Sequence, residues 1–200
     1  MLSETKSLLL RHARKQLHYA GLLERDSDGH SRPMIRAPRE VLGDLVLFER
    51  LQPQQLEDLA SRVTTRLLEA DELLYAEGAA DATLYVVACG VLEITRGTGT
   101  TRSLTLGRVG AGEYIGEIAL LTGSPHATTA RARTHCVVYQ LGREAIAGLL
   151  ETHPEVAADL AKSVRRRLDQ VGQSVAASAA GDVGVRGQLL QRIRRFFHPA

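Results

Sequence analysis

The segment from Gly116 to Ala130 has the residue types and spacing of a site for an anion attached to a sugar. An apolar strand is predicted to end at Tyr114-Ile115, and Gly116 then leads into a short helical turn whose first backbone N–H groups have no partner within the turn. Such groups attract anions because the peptide dipoles place partial positive charge there. The Glu117 carboxylate can accept hydrogen bonds from hydroxyl groups, and Gly123–Pro125 turns the chain back toward the next strand.

This segment resembles the phosphate-binding cassette of the cyclic nucleotide-binding domain family, in which Gly-Glu-hydrophobic-Ala-Leu is followed by a glycine, Pro-Arg and small residues. The resemblance extends over residues 46 to 170. It is reinforced upstream by Glu77-Gly78, Asp81, Leu84-Tyr85-Val86-Val87, Gly90-Val91-Leu92-Glu93 and Gly112-Glu113-Tyr114. It implies a mainly β fold with flanking helices: an eight-stranded antiparallel β-roll, jelly-roll-like, with N-terminal helices and a C-terminal lid helix.

The resemblance also implies a cyclic nucleotide as the ligand, held by residues of the cassette. The predicted ligand-binding residues are Gly116, Glu117, Ile118, Ala119, His126, Ala127 and Thr128. Family members selective for cGMP carry a hydroxyl where this chain has Ala127, which favours cAMP over cGMP. Thr128 and Thr129 are alternative sources of that hydroxyl.

The chain departs from the family pattern at His126, where the family has an arginine that forms a paired contact with the cyclic phosphate. Arginine offers two parallel donors and a permanent charge, whereas a free imidazole has a reference pKa of about 6.5 and offers one donor in that direction. Losing a charge-assisted hydrogen bond of about 1.5–3 kcal/mol weakens affinity roughly 10- to 150-fold. Either protonated His126 partly replaces the arginine in a weak, pH-tuned site, or the fold no longer binds a nucleotide. Arg131 and Arg133 are nearby cations that could compensate for the missing arginine.

Composition excludes several other classes of function. The 25 basic and 23 acidic residues leave a net charge of +2, which does not predict a nucleic-acid-binding surface. Cys89 and Cys136 lie in strand-like apolar runs, as buried thiols of a reducing compartment do. The seven histidines lack metal-ligand spacing, and no nucleophile has a recognisable base, so we expect neither a metal site nor an enzyme. No apolar run is long enough to span a membrane.

The pattern along the chain predicts three regions. Residues 1–40 form an N-terminal helix at residues 3–20 and a linker from Glu24 to Arg39, which is rich in Asp, Gly and Pro. Residues 41–178 form the cyclic nucleotide-binding domain, with helices at 40–48, 53–60 and 143–150 and short strands at 63–68, 72–75, 83–88, 91–96, 103–109, 128–133 and 136–141. Residues 179–200 form the last region, which contains a flexible segment and a short basic tail helix. The flexible composition already begins at Gln173 and extends to Gly184.

A long helix is predicted after Thr152-His153-Pro154-Glu155, which has the form of a capping box. Its apolar stripe is Val156, Leu160, Val164, Leu168, Val171 and Val175, whose spacing favours packing against the roll over a coiled coil; dimerisation stays an alternative. Arg165, Arg166 and Leu168 are the candidate lid residues. The three arginines from Arg165 to Arg167 are otherwise typical of a solvated helix surface.

The sequence therefore predicts a non-catalytic regulatory domain that binds a cyclic nucleotide and signals to an attached effector. Residues 14–22 and 190–197 resemble the ends of the cytoplasmic domain of bacterial small-conductance mechanosensitive channels, which implies the cytoplasmic part of an inner-membrane channel. One alternative is a degenerate domain that acts in protein interactions. The other is a fragment of a transcription regulator, although the roughly 25 residues after Val175 are too few for a DNA-binding winged helix.

Overall fold

The computed structural model of this chain describes the backbone of residues 23–25, 31–33, 35–97 and 103–178 and the side chains of residues 35–97 and 103–167. Backbone contacts divide the chain into a first unit, Met1–Ala37, and a second unit, Pro38–Ala200. The helix predicted at residues 3–20 and the basic tail helix predicted near residue 190 lie outside the described residues.

The first unit contains a short pair of antiparallel strands, β1 (Leu23–Arg25) and β2 (Ser31–Pro33). The predicted linker from Glu24 to Arg39 is therefore wrong at these residues. The prediction rested on the Asp, Ser, Gly and Pro content of this stretch, and strands of three residues are too short to show an alternating pattern in the sequence.

The second unit starts and ends with helices. The helix α1 spans Pro38–Gly43, a turn of 3-10 helix spans Val46–Phe48, α2 spans Pro53–Ser61, α3 spans Glu117–Thr122, α4 spans Arg143–Thr152 and α5 spans Pro154–Ser178. The helix predicted at residues 40–48 is thus divided into α1 and the 3-10 turn. The flexible segment predicted from Gln173 onward is wrong up to Ser178, because α5 includes these residues.

Eight strands of the second unit form two four-stranded antiparallel sheets, as predicted for a β-roll. The order is β3-β10-β5-β8 in one sheet and β4-β9-β6-β7 in the other. The strands are β3 (Thr64–Leu68), β4 (Leu73–Tyr75), β5 (Thr83–Cys89), β6 (Val91–Gly97), β7 (Ser103–Gly110), β8 (Tyr114–Ile115), β9 (Thr129–Ala132) and β10 (Cys136–Gly142).

The main core lies between the two sheets, and β5 shows how the chain fills it. Tyr85 and Val87 belong to the cluster between the sheets, whereas the alternate residues Leu84 and Val86 are equally buried. Side chains of successive strand residues point to opposite faces, so both faces of β5 are covered. The helix α1 contacts β5, and α4 contacts β10 beside it. A continuous apolar run in β5 is what a strand buried on both faces requires.

The long helix α5 contacts the 3-10 turn, α4 and α3. Val156, Leu160 and Val164 are each at most 2% exposed, as the four-residue spacing of the stripe predicts. The predicted capping box at Thr152 is wrong, because the Thr152 hydroxyl donates to the Gly148 carbonyl of α4 at 2.9 Å. The His153 ring lies with Nδ1 2.8 Å from Glu155 Oε1, and this contact occupies the carboxylate that the box would need.

Gly90 links β5 to β6 and should tolerate no side chain. Its φ is +88°, and a Cβ would lie 2.3 Å from the His135 carbonyl oxygen. We expect Gly90→Ala to lower the free energy of unfolding by more than about 2 kcal/mol, because strain in the left-handed region adds to a clash with backbone.

Two glycines are matched controls for Gly90→Ala in urea unfolding. Gly112 has φ +81° with open space at its Cβ position, so Gly112→Ala should cost only the backbone strain, about 1–2 kcal/mol. Gly148 lies inside α4 with open space, so Gly148→Ala should stabilise by about 0.5–1 kcal/mol. Equal effects at positions 90 and 112 would contradict the steric argument.

Candidate functional site

The cassette begins at a glycine whose backbone no other residue can adopt without strain. Gly116 has φ +89°, and a Cβ there would lie 2.2 Å from the Thr83 carbonyl oxygen. This close approach exists because Ile115 in β8 pairs with Tyr85 in β5. The first intrahelical bond of α3 runs from the Leu120 amide to the Gly116 carbonyl at 2.9 Å, so the amides of residues 117 to 119 precede it.

A cavity of about 200 Å³ lies beside the cassette. Its walls also include residues of β4, β6 and β7 and one residue of α5. All the residues predicted to bind a ligand line it: Gly116, Glu117, Ile118, Ala119, His126, Ala127 and Thr128. The structure thus brings the two halves of the cassette together around one cavity, and their role in binding stays a prediction.

Glu117 is a buried carboxylate in this cavity, with only 1% of its surface exposed. Its Oε2 atom accepts a hydrogen bond of 2.9 Å from Nη1 of Arg167, whereas Oε1 has no hydrogen-bond partner among the described residues. Burial raises the pKa of this carboxyl, because desolvation disfavours its charged form, and the Arg167 charge partly opposes that effect. Glu117 therefore offers one free acceptor oxygen to the cavity.

Arg167 is the only residue of α5 in the cavity wall within the described part of the chain. Besides Glu117, its guanidinium donates through Nη2 to the Tyr114 carbonyl oxygen, and Cζ lies 5.4 Å from the centre of the Tyr114 ring. A solvated position was expected for this residue, but only 27% of its side chain is exposed. The spacing of the apolar stripe could have predicted this position. Arg167 follows the buried Leu160 by seven residues, or about two helical turns, and so lies on the same side of the helix.

The predicted lid residues lie differently from the expectation. Arg165 and Arg166 are exposed and are not among the residues that line the cavity. The side chain of Leu168 lies outside those that the structure describes. Arg167 thus occupies the position that was expected for its neighbours.

His126 is buried, with 4% of its side chain exposed, and its ring stacks on Tyr75 at a centroid distance of 3.7 Å and an interplanar angle of 13°. Its Nε2 atom lies 3.1 Å from Asp81 Oδ1, in a direction that gives no well-aligned hydrogen bond. The same Asp81 oxygen accepts from the Tyr85 hydroxyl at 3.0 Å. The backbone of His126 bonds to Gly78–Ala79 in both directions. These contacts place Nε2 beside a carboxylate.

The cationic alternatives in β9 and just after it point away from the site. Ala130 and Ala132 are fully buried, and strand alternation turns Arg131 to the other face, where its Nη1 donates to the Asp71 carbonyl at 2.6 Å. Arg133 Nη1 lies 3.3 Å from Asp71 Oδ1. Neither arginine therefore compensates for the missing cassette arginine in this structure.

In the part of the chain that the structure describes, no three His, Cys, Asp or Glu side chains are grouped as metal ligands. None of the described helices combines the length and apolar content needed to cross a bilayer.

Comparison with known proteins matches this chain to the family model of the cyclic nucleotide-binding domain over residues 65–153. The crystal structure of the N-terminal domain of a transcriptional regulator from Streptomyces coelicolor is 31% identical, with a TM-score of 0.54. The match covers 67% of this chain and 93% of that one. The chain belongs to the cyclic nucleotide-binding domain family. The two four-stranded sheets and the C-terminal helix described above are this family's β-roll.

Two curated relatives of this cyclic nucleotide-binding domain belong to larger proteins. The CRP-like cAMP-activated global transcriptional regulator of Mycobacterium tuberculosis is 24% identical, and the match covers 78% of this chain and 71% of the regulator. The human potassium/sodium hyperpolarization-activated cyclic nucleotide-gated channel 4 is also 24% identical. That match covers 68% of this chain but 11% of the channel.

The raised pKa of Glu117 predicts how this domain's stability changes with pH. Because the folded-state value lies above the unfolded value, the folded domain binds more protons between the two. The carboxyl's stabilising contribution is thus complete below the unfolded value of about 4.3 and is lost as the pH rises through the folded value. We expect the unfolding free energy of the native domain, minus that of Glu117→Gln, to fall as the pH is raised from about 4 through the folded value.

Urea unfolding across that pH range measures this difference. Glu151→Gln, which removes one exposed carboxyl from α4, is the matched control. A native-minus-variant difference that grows with pH at position 117 would mean that Arg167 outweighs burial and lowers the pKa.

Proposed function

We propose that this domain binds a cyclic nucleotide in the cavity between the roll and α5, and that binding moves α5 to signal to an attached effector. One observation supports this most: the cavity is lined by all seven cassette residues and, opposite them, by Arg167 of α5. A ligand there contacts the fixed roll and the C-terminal helix at once. A ligand whose affinity differs between two positions of the helix shifts the balance between them.

The free oxygen of Glu117 supports a sugar-containing ligand. A buried acceptor without a hydrogen bond costs about 1–3 kcal/mol, and a ligand hydroxyl placed at Oε1 would remove that cost. Arg167 holds the other oxygen, so the carboxylate is already oriented before it accepts the hydroxyl. Orienting a binding group in advance reduces the entropy lost on association.

The side chains at positions 127 to 129 support cAMP over cGMP. Ala127 lines the cavity and carries no hydroxyl. The Thr129 hydroxyl accepts a hydrogen bond from the Glu77 amide at 2.9 Å, and Thr129 is not among the residues that line the cavity. Of these three positions, only Thr128 presents a hydroxyl to a guanine ring.

For the effector, we propose the sequence-based hypothesis of an inner-membrane channel with this domain on the cytoplasmic side. The human channel relative, whose name describes it as cyclic nucleotide-gated, supports an arrangement of that kind. The mycobacterial relative supports the second candidate, a transcription regulator. The burial of His126 beside Asp81 favours the remaining alternative, a domain that binds no small ligand, because the cassette lacks an accessible cation.

Calorimetric titration of cAMP and cGMP tests nucleotide binding and its selectivity. We expect the native domain to bind cAMP, and more tightly than cGMP. Ala127→Thr should strengthen cGMP binding by roughly 10-fold, the effect of one added hydrogen bond of about 1–1.5 kcal/mol, with cAMP affinity little changed.

Val46→Ser, on an exposed residue of the 3-10 turn, is the control for this experiment and should leave both affinities unchanged. Absence of binding heat for both nucleotides at millimolar concentration, with the domain folded, would favour the interaction-domain alternative.

A further inference from the structure

We propose that Arg167 is the residue that binds the phosphodiester of the ligand, in place of the arginine that the cassette lacks. This inference rests on the proposed function, because it assumes a cyclic nucleotide in the cavity. It moves the phosphate anchor from the fixed roll to the C-terminal helix α5.

The cassette position itself offers no accessible cation. The Nε2 atom of His126 is buried and lies 3.1 Å from a carboxylate oxygen of Asp81. The negative charge of Asp81 beside that nitrogen repels an anion that approaches it. The stack on Tyr75 and the backbone bonds to Gly78–Ala79 hold the residue in this position. An anion in the cavity therefore needs another partner.

Two arginines of the described chain line the cavity, and they differ in their exposure to water. Arg108 in β7 has 67% of its side chain exposed and lies 3.9 Å from Glu93. Arg167 has 27% exposed and stands against the buried Glu117. A charge shielded from water interacts more strongly with a ligand than a charge at the surface does. Arg167 is therefore the stronger anion-binding group of the two.

The donor geometry of Arg167 suits a phosphodiester. A guanidinium carries five N–H groups in a plane and matches the paired oxygens of a phosphate. The Glu117 carboxylate and the Tyr114 carbonyl take one bond each from Nη1 and Nη2. Each of these nitrogens carries a second N–H, so a phosphodiester can bind without breaking both existing contacts. Glu117 then keeps Oε1 for a sugar hydroxyl.

This placement has a consequence for signalling. In a cassette with its own arginine, the phosphate contact belongs to the roll. Here the same contact belongs to α5, so the ligand's charge acts directly on the helix that moves. The phosphate thereby contributes to the affinity difference between the two helix positions.

The test separates the phosphate from the rest of the ligand by titrating cAMP and adenosine into three proteins. These are the native domain, Arg167→Gln, and Arg165→Gln as the matched control, an exposed arginine on the same helix that does not line the cavity. We expect Arg167→Gln to weaken cAMP binding by about 10- to 150-fold and adenosine binding by a clearly smaller factor, because adenosine loses only the orientation of Glu117. Arg165→Gln should change neither.

Three results would count against these ideas, and they are distinguishable. Equal losses for cAMP and adenosine would mean that Arg167 only positions Glu117, which overturns the inference. Unchanged cAMP binding in Arg167→Gln also overturns it and leaves the proposed function standing. A native domain that binds neither compound overturns the proposed function itself. Circular dichroism checks that each variant is folded. If Arg167→Gln is unfolded, Arg167→Lys replaces it. Weaker binding of cAMP than in the native domain, with a smaller loss for adenosine, supports Arg167 as the phosphate-binding residue, whereas a cAMP affinity equal to that of the native domain overturns it.

Discussion

The contact between the Glu117 carboxylate and the Arg167 guanidinium joins the cassette to the C-terminal helix, and the account of the site depends on it. A buried carboxylate is costly unless it is paired, and here the partner arrives from a helix fifty residues later in the chain. The pair fixes the direction of the carboxylate and holds a cation over the cavity. Without it, α5 would be a packing element with no chemical link to the cassette.

Several elements of the fold are needed to form this pair. Gly116 lets the chain pass within contact of β5, so α3 begins where β8 ends and Glu117 points into the interior. Val156, Leu160 and Val164 seat α5 against the roll, and Arg167 follows on the same side of the helix. The Tyr114 carbonyl and ring supply the remaining contacts of the guanidinium. The packing of apolar side chains of α5 thus positions the Arg167 charge beside Glu117.

The strands and the cassette could be predicted from the sequence because their signals are local. Glycines between short apolar runs mark where strands end, and the Gly-Glu motif fixes the start of α3. The strand pair β1 and β2 was missed because each strand has only three residues, too few to show an alternating pattern. The start of α5 was mispredicted because Thr152 serves as the last residue of α4, a choice that the local sequence leaves open.

The charges of the site were harder to predict because they depend on tertiary structure. Arg165, Arg166 and Arg167 are chemically identical, and only the direction of the helix face decides which of them enters the cavity. The sequence identifies His126 as a departure from the family pattern but not its surroundings. Its stack on Tyr75 and its approach to Asp81 join residues from separate strands and loops, which no spacing in the sequence reveals.

The most direct measurement is a double-mutant cycle on the free energy of unfolding, with Glu117→Gln, Arg167→Gln and the combined variant. A hydrogen-bonded pair with one buried charge should show a coupling of at least about 1 kcal/mol, because each single change leaves the other group unpaired. A coupling within about 0.3 kcal/mol of zero would mean that the two residues act independently. That result would contradict the link between the cassette and α5.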